Sequence, residues 1–475
     1  MTQAPLRQLS DVPGPPGIPV LGNALQITLP RIHQDFERWA REYGPMYRVK
    51  IGPREMLVIS DHAVIGSVLR DRPEGFRRST RARETGREMG LPPGVFAAEG
   101  DAWRNQRRMV MASFSPSHVR AYFPSLQKVT QRLQGRWLKA ARAGAGIELQ
   151  PDLMRFTVDA IAGLAFGAEV NTLESDDDII QQHLDKIFPA LFRRIFTRIP
   201  YWRFVRLPAD RQLDRSVKEI NRAIAAFIAQ ARQRLQDEPA RREQPPNLLE
   251  AMIVAADEPG SGLNDTDIAG NVLTMLLAGE DTTANSLAWM VYLLHRHPQA
   301  LHRAQDEVRA LATDPAAFTI EQMASLDYLD ACAQETMRLK PVAPNLPVEA
   351  IHDTVVGGVA VPANTLVWSV LRHDSVDDRH FPNGSAFMPE RWLESESAGQ
   401  QLASAKRVSM PFGGGPRVCP GRYLALLEMK MAMAMLLTRF EIVGVDTPDG
   451  GEAQELMSFT MSPVGLRMRL RERQS

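Results

Sequence analysis

Apolar positions recur with a helical period along most of this chain and alternate with polar ones in only a few short windows. Residues 31 to 43 carry the helical pattern, and 46 to 51 and 56 to 60 then alternate around the turn signal Gly52-Pro53, which predicts a strand pair. Helix resumes after Asp61. Between about 75 and 100 the period breaks up, with basic residues giving way to Gly90, Pro92, Pro93 and Gly94, and a long irregular loop of the kind kept for function is expected. From Trp103 to about residue 340 helical periodicity dominates, interrupted by surface loops at 237 to 247 and 258 to 262. Past Pro341 the texture turns to short strands at 355 to 361 and 366 to 371, then a helix of about 20 residues after Cys419 and a terminal strand pair. The expected fold class is mainly α with minor β.

The entry, with Pro13, Pro15, Pro16 and Pro19 among Gly14, Gly17 and Gly22, is stiff and extended, so order is expected to begin there, after a flexible tail over 1–12. Residues 13–475 are read as a single domain, with a small β-rich part near 44–60 and 351–371 and a large helical part elsewhere. No internal repeat is visible.

Charge and cysteine content narrow the function. With 56 basic and 56 acidic residues the net charge is zero, so no global field favours nucleic acid, and any electrostatic docking must be local. Two cysteines, Cys332 and Cys419, make no disulfide framework, which fits a reducing cytoplasm. The N-terminus has no basic start followed by an apolar run, and the stretches 268 to 278 and 424 to 437 are too short or are broken by Glu428, so no signal peptide or membrane anchor is expected. No GxxxxGK[ST] loop, strand-GxGxxG-helix unit or HExxH occurs, which removes the common nucleotide and zinc readings.

Chemistry concentrates in four places. The first is Phe412-Gly413-Gly414-Gly415-Pro416-Arg417-Val418-Cys419-Pro420-Gly421, which sets one cysteine before an apolar helix whose N-terminus favours a thiolate, beside glycines that admit a flat ligand. Second, a helix from Asp265 to Arg296 has an apolar course interrupted by Ala278-Gly279-Glu280-Asp281-Thr282-Thr283. There the Thr282 hydroxyl can bond back to the Ala278 carbonyl and open a groove beside Gly279. Third come Glu335-Thr336-Met337-Arg338, an acid and a base on one helical face, and downstream Pro389-Glu390-Arg391-Trp392. The same ExxR spacing at Glu74/Arg77, Glu84/Arg87, Glu219/Arg222 and Glu238/Arg241 reads as solvated surface pairs. Fourth, Trp103 and Arg107 lie four apart at the start of a helix.

Taken together and in this order, FxxGxRxCxG, AGEDTT, ExxR with PERW, and WxxxR resemble the cytochrome P-450 superfamily of haem-thiolate mono-oxygenases, in its soluble bacterial-type form. The resemblance spans the chain. It implies the P-450 fold, with haem between the long central helix and the cysteine-loop helix, and Cys419 as the axial ligand of haem b iron. A thiolate ligand favours O–O cleavage. Trp103, Arg107 and Arg417 would hold the propionates, with Ala278, Phe412, Gly413 and Gly421 also against the cofactor. Asp281 and Thr282 would relay protons to bound dioxygen, and Glu335, Arg338 and Arg391 would form a buried structural triad. One departure is visible: where many members place a propionate-contacting Arg or His past the ExxR helix, this chain has Val348 and Glu349.

By the same resemblance Val95, Phe96, Met275, Ala278, Val342, Ala343, Leu346 and Phe459 would line an apolar substrate pocket, suited to a lipophilic molecule. Segment 185 to 211, rich in aromatics and basic residues, falls where the family keeps a mobile lid, and an amphipathic lid can also touch a membrane surface. No flavin or nicotinamide fingerprint is present, so NAD(P)H enters only indirectly, and a ferredoxin or flavodoxin with its reductase is expected to dock on Arg104, Arg108, Lys406, Arg407 and Arg422. A monomer is expected. The activity implied is insertion of one oxygen atom of O2 into an apolar small molecule. The alternatives are a peroxide-driven or O2-independent haem-thiolate enzyme, and a haem-binding sensor without turnover; an Asp281-Thr282 relay favours the mono-oxygenase.

Overall fold

A computed structural model describes residues 6 to 473 except 115, 168–170, 175–182, 185, 198, 312–313, 315–316 and 394–404. Contacts group the chain into two compact units. The first comprises Met1–Arg83, Gln334–Cys419 and Glu455–Ser462; the second comprises Glu84–Ala333, Pro420–Gln454 and Pro463–Ser475.

The first unit is built on a five-stranded mixed sheet in the order 46–51, 54–59, 366–370, 345–350, 76–78. Met46–Ile51 and Arg54–Ile59 pair antiparallel across Gly52, as the alternation predicts, and Arg54–Ile59 runs parallel to Leu366–Val370. Leu57, Ile59, Val348, Ala350, Val367 and the helix residues Ile65, Val68 and Leu69 of His62–Arg70 close an apolar core under it. Fully burying side chains of this size stabilises by roughly 1.5–3 kcal/mol each. Thr354–Val356 and Val359–Val361 form a hairpin through Gly357 and Gly358, both at positive φ. Order begins before the proline-rich entry: Arg7–Gln8 pairs in parallel with Val359 and Ala360, and Val12 is buried in the sheet core. The physical reason is an open hairpin edge, whose free N–H and C=O groups an extended segment satisfies.

The second unit is helical. Its axis is Asp265–Arg296, whose bounds coincide with those read from the sequence. Asn264 caps it reciprocally with Asp267. Leu149–Phe166, Pro208–Asp237, Leu248–Asp257 and Arg422–Arg439 pack around it. A small sheet of Phe440–Asp446, Arg467–Glu472 and Ile147–Glu148 lies in the same unit.

The region from 75 to 100 needs a correction, because it is not one irregular loop. Phe76–Arg78 is an edge strand and Thr80–Glu88 a helix, and irregular chain begins only at Gly90. TRARETGRE carries no apolar stripe to announce a helix; charged residues with good intrinsic propensity suffice over two turns. Among the described residues, no helix is long and apolar enough to cross a membrane.

Candidate functional site

In the first unit the cysteine loop is fixed by its own backbone. Cys419 N–H donates to the Phe412 carbonyl at 3.0 Å, Gly413 N–H to Met410 at 2.9 Å and Val418 N–H to Gly415 at 3.1 Å. Gly415 sits at φ 66°, where an added Cβ would stand 2.1 Å from the Leu69 carbonyl oxygen, so only glycine permits this approach to the His62–Arg70 helix. Cys419 is part-exposed, whereas Cys332 is fully buried. One thiol is therefore presented and the other packed. Phe412, Gly413 and Arg417 share the loop's half-buried state.

Glu335 and Arg338, on Asp327–Leu339, are completely buried. Arg338 Nε and Nη2 donate to the two Glu335 oxygens at 2.7 Å each, and Arg391 Nε to Oε1 at 3.0 Å. Trp392 Nε1 and the Met388 N–H complete the carboxylate's shell at 2.8 and 2.9 Å. Arg338 also donates to the carbonyls of Ser375, Gly384 and Ala386 and lies over the Phe381 ring. Burial raises the Glu335 pKa, but hydrogen bonds and charge from Arg338 and Arg391 outweigh it, so the carboxyl ends below its ordinary value. The other ExxR spacings divide. Glu219/Arg222 is a surface pair as expected, whereas Arg241, paired with the exposed Glu238, also reaches the buried Glu250. Arg77, by contrast, pairs with Glu349 at 2.7 Å, because the strand register sets these two residues opposite one another. That bond, with Thr80 Oγ1 on the same carboxylate at 2.7 Å, accounts for Glu349 where many family members carry Arg or His.

A second ionic centre of this unit escaped the sequence reading. Buried Arg372 bridges Glu37 and Glu455, and Glu455 further accepts from His33, Gln34 and Lys340. Burial opposes ionisation of Glu455, yet these donors hold its carboxyl far below the carboxylate range. Its partners come from segments more than 300 residues apart, so no local spacing signals it. Glu455 opens the short hairpin that carries Phe459, which stands at φ 106°. Val342 is tied to the hairpin through its carbonyl, which accepts from Met461 N–H at 2.7 Å. Phe459, Val342 and Leu346 are part-buried and Ala343 is exposed; Leu346 also packs on the sheet core.

In the second unit the central helix is buried over most of its length but surfaces at one turn. Ala278 is exposed, and Gly279, Asp281 and Thr282 are part-exposed beside it. Thr282 Oγ1 donates to the Ala278 carbonyl at 2.6 Å. Asn285 Nδ2 donates to Asp281 Oδ1 at 2.8 Å and is itself held by Gln150 at 3.1 Å, while Thr157 Oγ1 donates to the Glu280 carbonyl at 2.8 Å. Asn285 was missed in the sequence, although its i+4 spacing from Asp281 is the signal that finds it. Glu428, on Arg422–Arg439, is also new: it is buried, hydrogen-bonded to Thr283, and burial pushes its pKa up to about 8. Gly421 is the N-cap of that helix.

Trp103 is buried and Arg107 part-buried on Gly100–Ser113. Val95 N–H donates to Asn271 Oδ1 at 2.9 Å, which pins the 90–99 loop against the central helix. Gly94 and Gly270 make this crossing possible, since a Cβ on Gly94 would lie 2.1 Å from the Gly270 carbonyl oxygen. Phe96 is exposed and Met275 buried. Within 185 to 211, residues 185 and 198 lie outside the described residues. The rest form a helix, Ile187–Phe196, then an exposed apolar turn at Ile199, Phe204 and Val205, with Arg194 and Asp210 buried as a 2.7 Å pair.

Against known proteins, the family model for cytochrome P450 matches residues 12–468. The chain belongs to the cytochrome P450 family. It is 28% identical over its whole length to the self-sufficient cytochrome P450 monooxygenase CYP505E1 of Aspergillus niger, of which it spans 42%. It is 27% identical, over 84% of its length, to the chloroplastic protein LUTEIN DEFICIENT 5 of Arabidopsis thaliana, spanning 67% of it. The heme domain of cytochrome P450DA superposes with TM-score 0.83 at 25% identity, covering 98% of both chains.

These findings correct the electron-transfer expectation. P450 relatives matched along the chain are named self-sufficient and are more than twice as long, which contradicts the assignment of a separate ferredoxin or flavodoxin with its reductase. Arg104, Arg108, Lys406, Arg407 and Arg422 are indeed exposed, but Arg104 is paired with Asp101 and Arg422 lies over Tyr423. Lysine and arginine are mostly exposed in any folded protein, and exposure alone selects no partner. These two relatives come from Aspergillus niger and Arabidopsis thaliana, so the bacterial-type expectation gains nothing from them.

Proposed function

We propose that this P450 chain is a haem-thiolate mono-oxygenase that inserts one atom of O2 into an apolar small molecule, by hydroxylation or epoxidation. The balance is substrate plus O2, NAD(P)H and a proton giving oxygenated substrate, water and NAD(P)+. The observation that carries the reading is the acid–alcohol pair Asp281-Thr282, surfacing at one turn of an otherwise buried helix.

The residues fit the haem that the family implies. Cys419 is the part-exposed thiol of the two, on a backbone-fixed loop with close-approach glycines. Trp103, Arg107 and Arg417 suit propionates, since a guanidinium fork matches a carboxylate. Bound haem with a thiolate ligand supplies O2 activation and oxygen transfer. The chain's own part is to hold the thiol, exclude water and move protons. Thr282 Oγ1 donates to Ala278 O, which aims its lone pairs to accept a hydrogen bond, and the hydroxyl passes a proton on when it rotates off that carbonyl. Asp281, fixed by Asn285, reaches the same turn from solvent and recharges it. The apolar residues assigned to the substrate are Val95, Phe96, Met275 and Ala278 in the second unit and Val342, Ala343, Leu346 and Phe459 in the first. A cytoplasmic setting, with both thiols reduced, completes the reading.

The test is the spectrum of dithionite-reduced protein under carbon monoxide. Wild type should show a far red-shifted Soret band that Cys419→Ala loses, and wild-type protein with an unshifted band would sink the proposal. Turnover with an added NADPH-dependent reductase then separates mono-oxygenation from peroxide-driven chemistry. Thr282→Ala should still consume NADPH but release more hydrogen peroxide at the expense of product.

A further inference from the structure

Within the first unit, three histidines surround one buried carboxylate in the segment that follows the strand Leu366–Val370. Asp374, in the short helix Arg372–Ser375, is 3% exposed. Its Oδ2 accepts from His62 Nδ1 and from the His62 backbone N–H, both at 2.9 Å, and His380 Nε2 stands 3.6 Å away. The other oxygen, Oδ1, bonds His373 Nδ1 at 3.1 Å. His62 and His380 meet edge to face with centroids 4.7 Å apart, and each side chain is about a quarter exposed. One donor atom from each of His62, Asp374 and His380 lies within 4.8 Å of the others.

We propose that His62, Asp374 and His380 form a zinc site. Two imidazoles and one carboxylate are the ligand types zinc takes, and tetrahedral zinc with bonds of roughly 2.0–2.1 Å separates its ligand atoms by about 3.3 Å. The two separations to Asp374 Oδ2 bracket that distance, so a small rotation of the His62 ring suffices. His373 holds the second carboxylate oxygen and orients it, as outer-shell partners of metal ligands do. The exposed edges of His62 and His380 leave the fourth position to water. The ion would tie the N-terminus of His62–Arg70 to the segment running from Asp374 to His380. That segment also carries the Ser375 carbonyl that accepts from Arg338, so zinc would brace the frame of the triad.

The experiment is a calorimetric titration of metal-stripped, haem-loaded protein with zinc chloride, since loaded haem keeps Cys419 from competing. One equivalent should bind with a dissociation constant of micromolar or below, and the melting temperature should rise with zinc concentration. His62→Gln and His380→Gln should each weaken binding about 100-fold, while His352→Gln, an exposed histidine elsewhere, leaves it unchanged. If His62→Gln fails to fold, His380→Gln decides, because His380 stands beyond hydrogen-bond distance of Asp374. A dissociation constant weaker than about 100 μM, roughly two decades above the micromolar value expected, overturns the proposal. So does unchanged affinity in His380→Gln.

Discussion

Glu335 and Glu428 are both removed from water, one in each compact unit, and end in opposite states. Glu335 meets two guanidiniums, an indole N–H and a backbone N–H, and stays ionised below its ordinary pKa. Glu428 has a hydroxyl, that of Thr283, and is pushed up to about 8, so it carries a proton at neutral pH. Burial alone therefore does not decide what a buried acid does. Its partners do: pairing with cations makes Glu335 a structural anchor, and the lack of such pairing among the described residues leaves Glu428 a neutral carboxylic acid next to the turn that carries Asp281 and Thr282.

The sharpest way to break this contrast is Glu335→Gln. It leaves Arg338 charged in a fully buried position, and removing one partner of such a pair costs roughly 3–5 kcal/mol. Denaturant unfolding of the purified variant measures the loss, which should come with poor haem retention. The pH sign follows from the lowered pKa. Stability from Glu335 is complete above the unfolded value and is lost as pH falls through the lowered folded one. Wild type should therefore lose more stability than the variant on acidification. If Glu335→Gln is as stable as wild type at neutral pH, the anchor role is wrong.

Much of this was legible beforehand, and the failures have physical causes. The central helix showed its bounds because its caps and its apolar course are local. The Glu335–Arg338 pair was visible because three residues on a helix share a face. The Thr282 bond to Ala278 needs only the helix repeat. Invisible were contacts that depend on register or on distant segments: Arg77 pairs with Glu349 and not with Glu74, and Glu455 draws donors from around residues 33, 340 and 372. The Thr80–Glu88 helix was missed because it lacks the apolar stripe that periodicity detects. Glu428 was seen only as an acid interrupting an apolar run; its protonation state depends on what packs around it.

Asp281 tests the contrast from a third environment, part-exposed and hydrogen-bonded by Asn285. Asp281→Asn keeps an oxygen that can accept from Asn285 but removes the ionisable group. Loss of a positioned proton donor lowers turnover by about 100-fold, with the substrate-induced Soret shift unchanged, since nothing in binding requires the charge. A fall in affinity equal to the fall in rate would instead mark Asp281 as part of the substrate seat.

The smallest effect expected, and the most direct on the contrast between Glu335 and Glu428, comes from Glu428→Gln. Because burial raises the Glu428 pKa from its ordinary 4.5 to about 8 in the fold, the folded state binds the extra proton between these values. The stability this confers is full below the unfolded pKa and is lost as pH rises through about 8. Glutamine mimics the neutral acid in size and in hydrogen bonding to Thr283, so it should change little near pH 4, where the carboxyl is largely protonated in both states, and gain on wild type progressively as pH rises from there through about 8. Thermal melts of both proteins across that range give the answer. Parallel curves would mean that Glu428 is already ionised in the fold, through a cation or water the hydroxyl of Thr283 does not replace, and the distinction drawn from Glu335 would collapse.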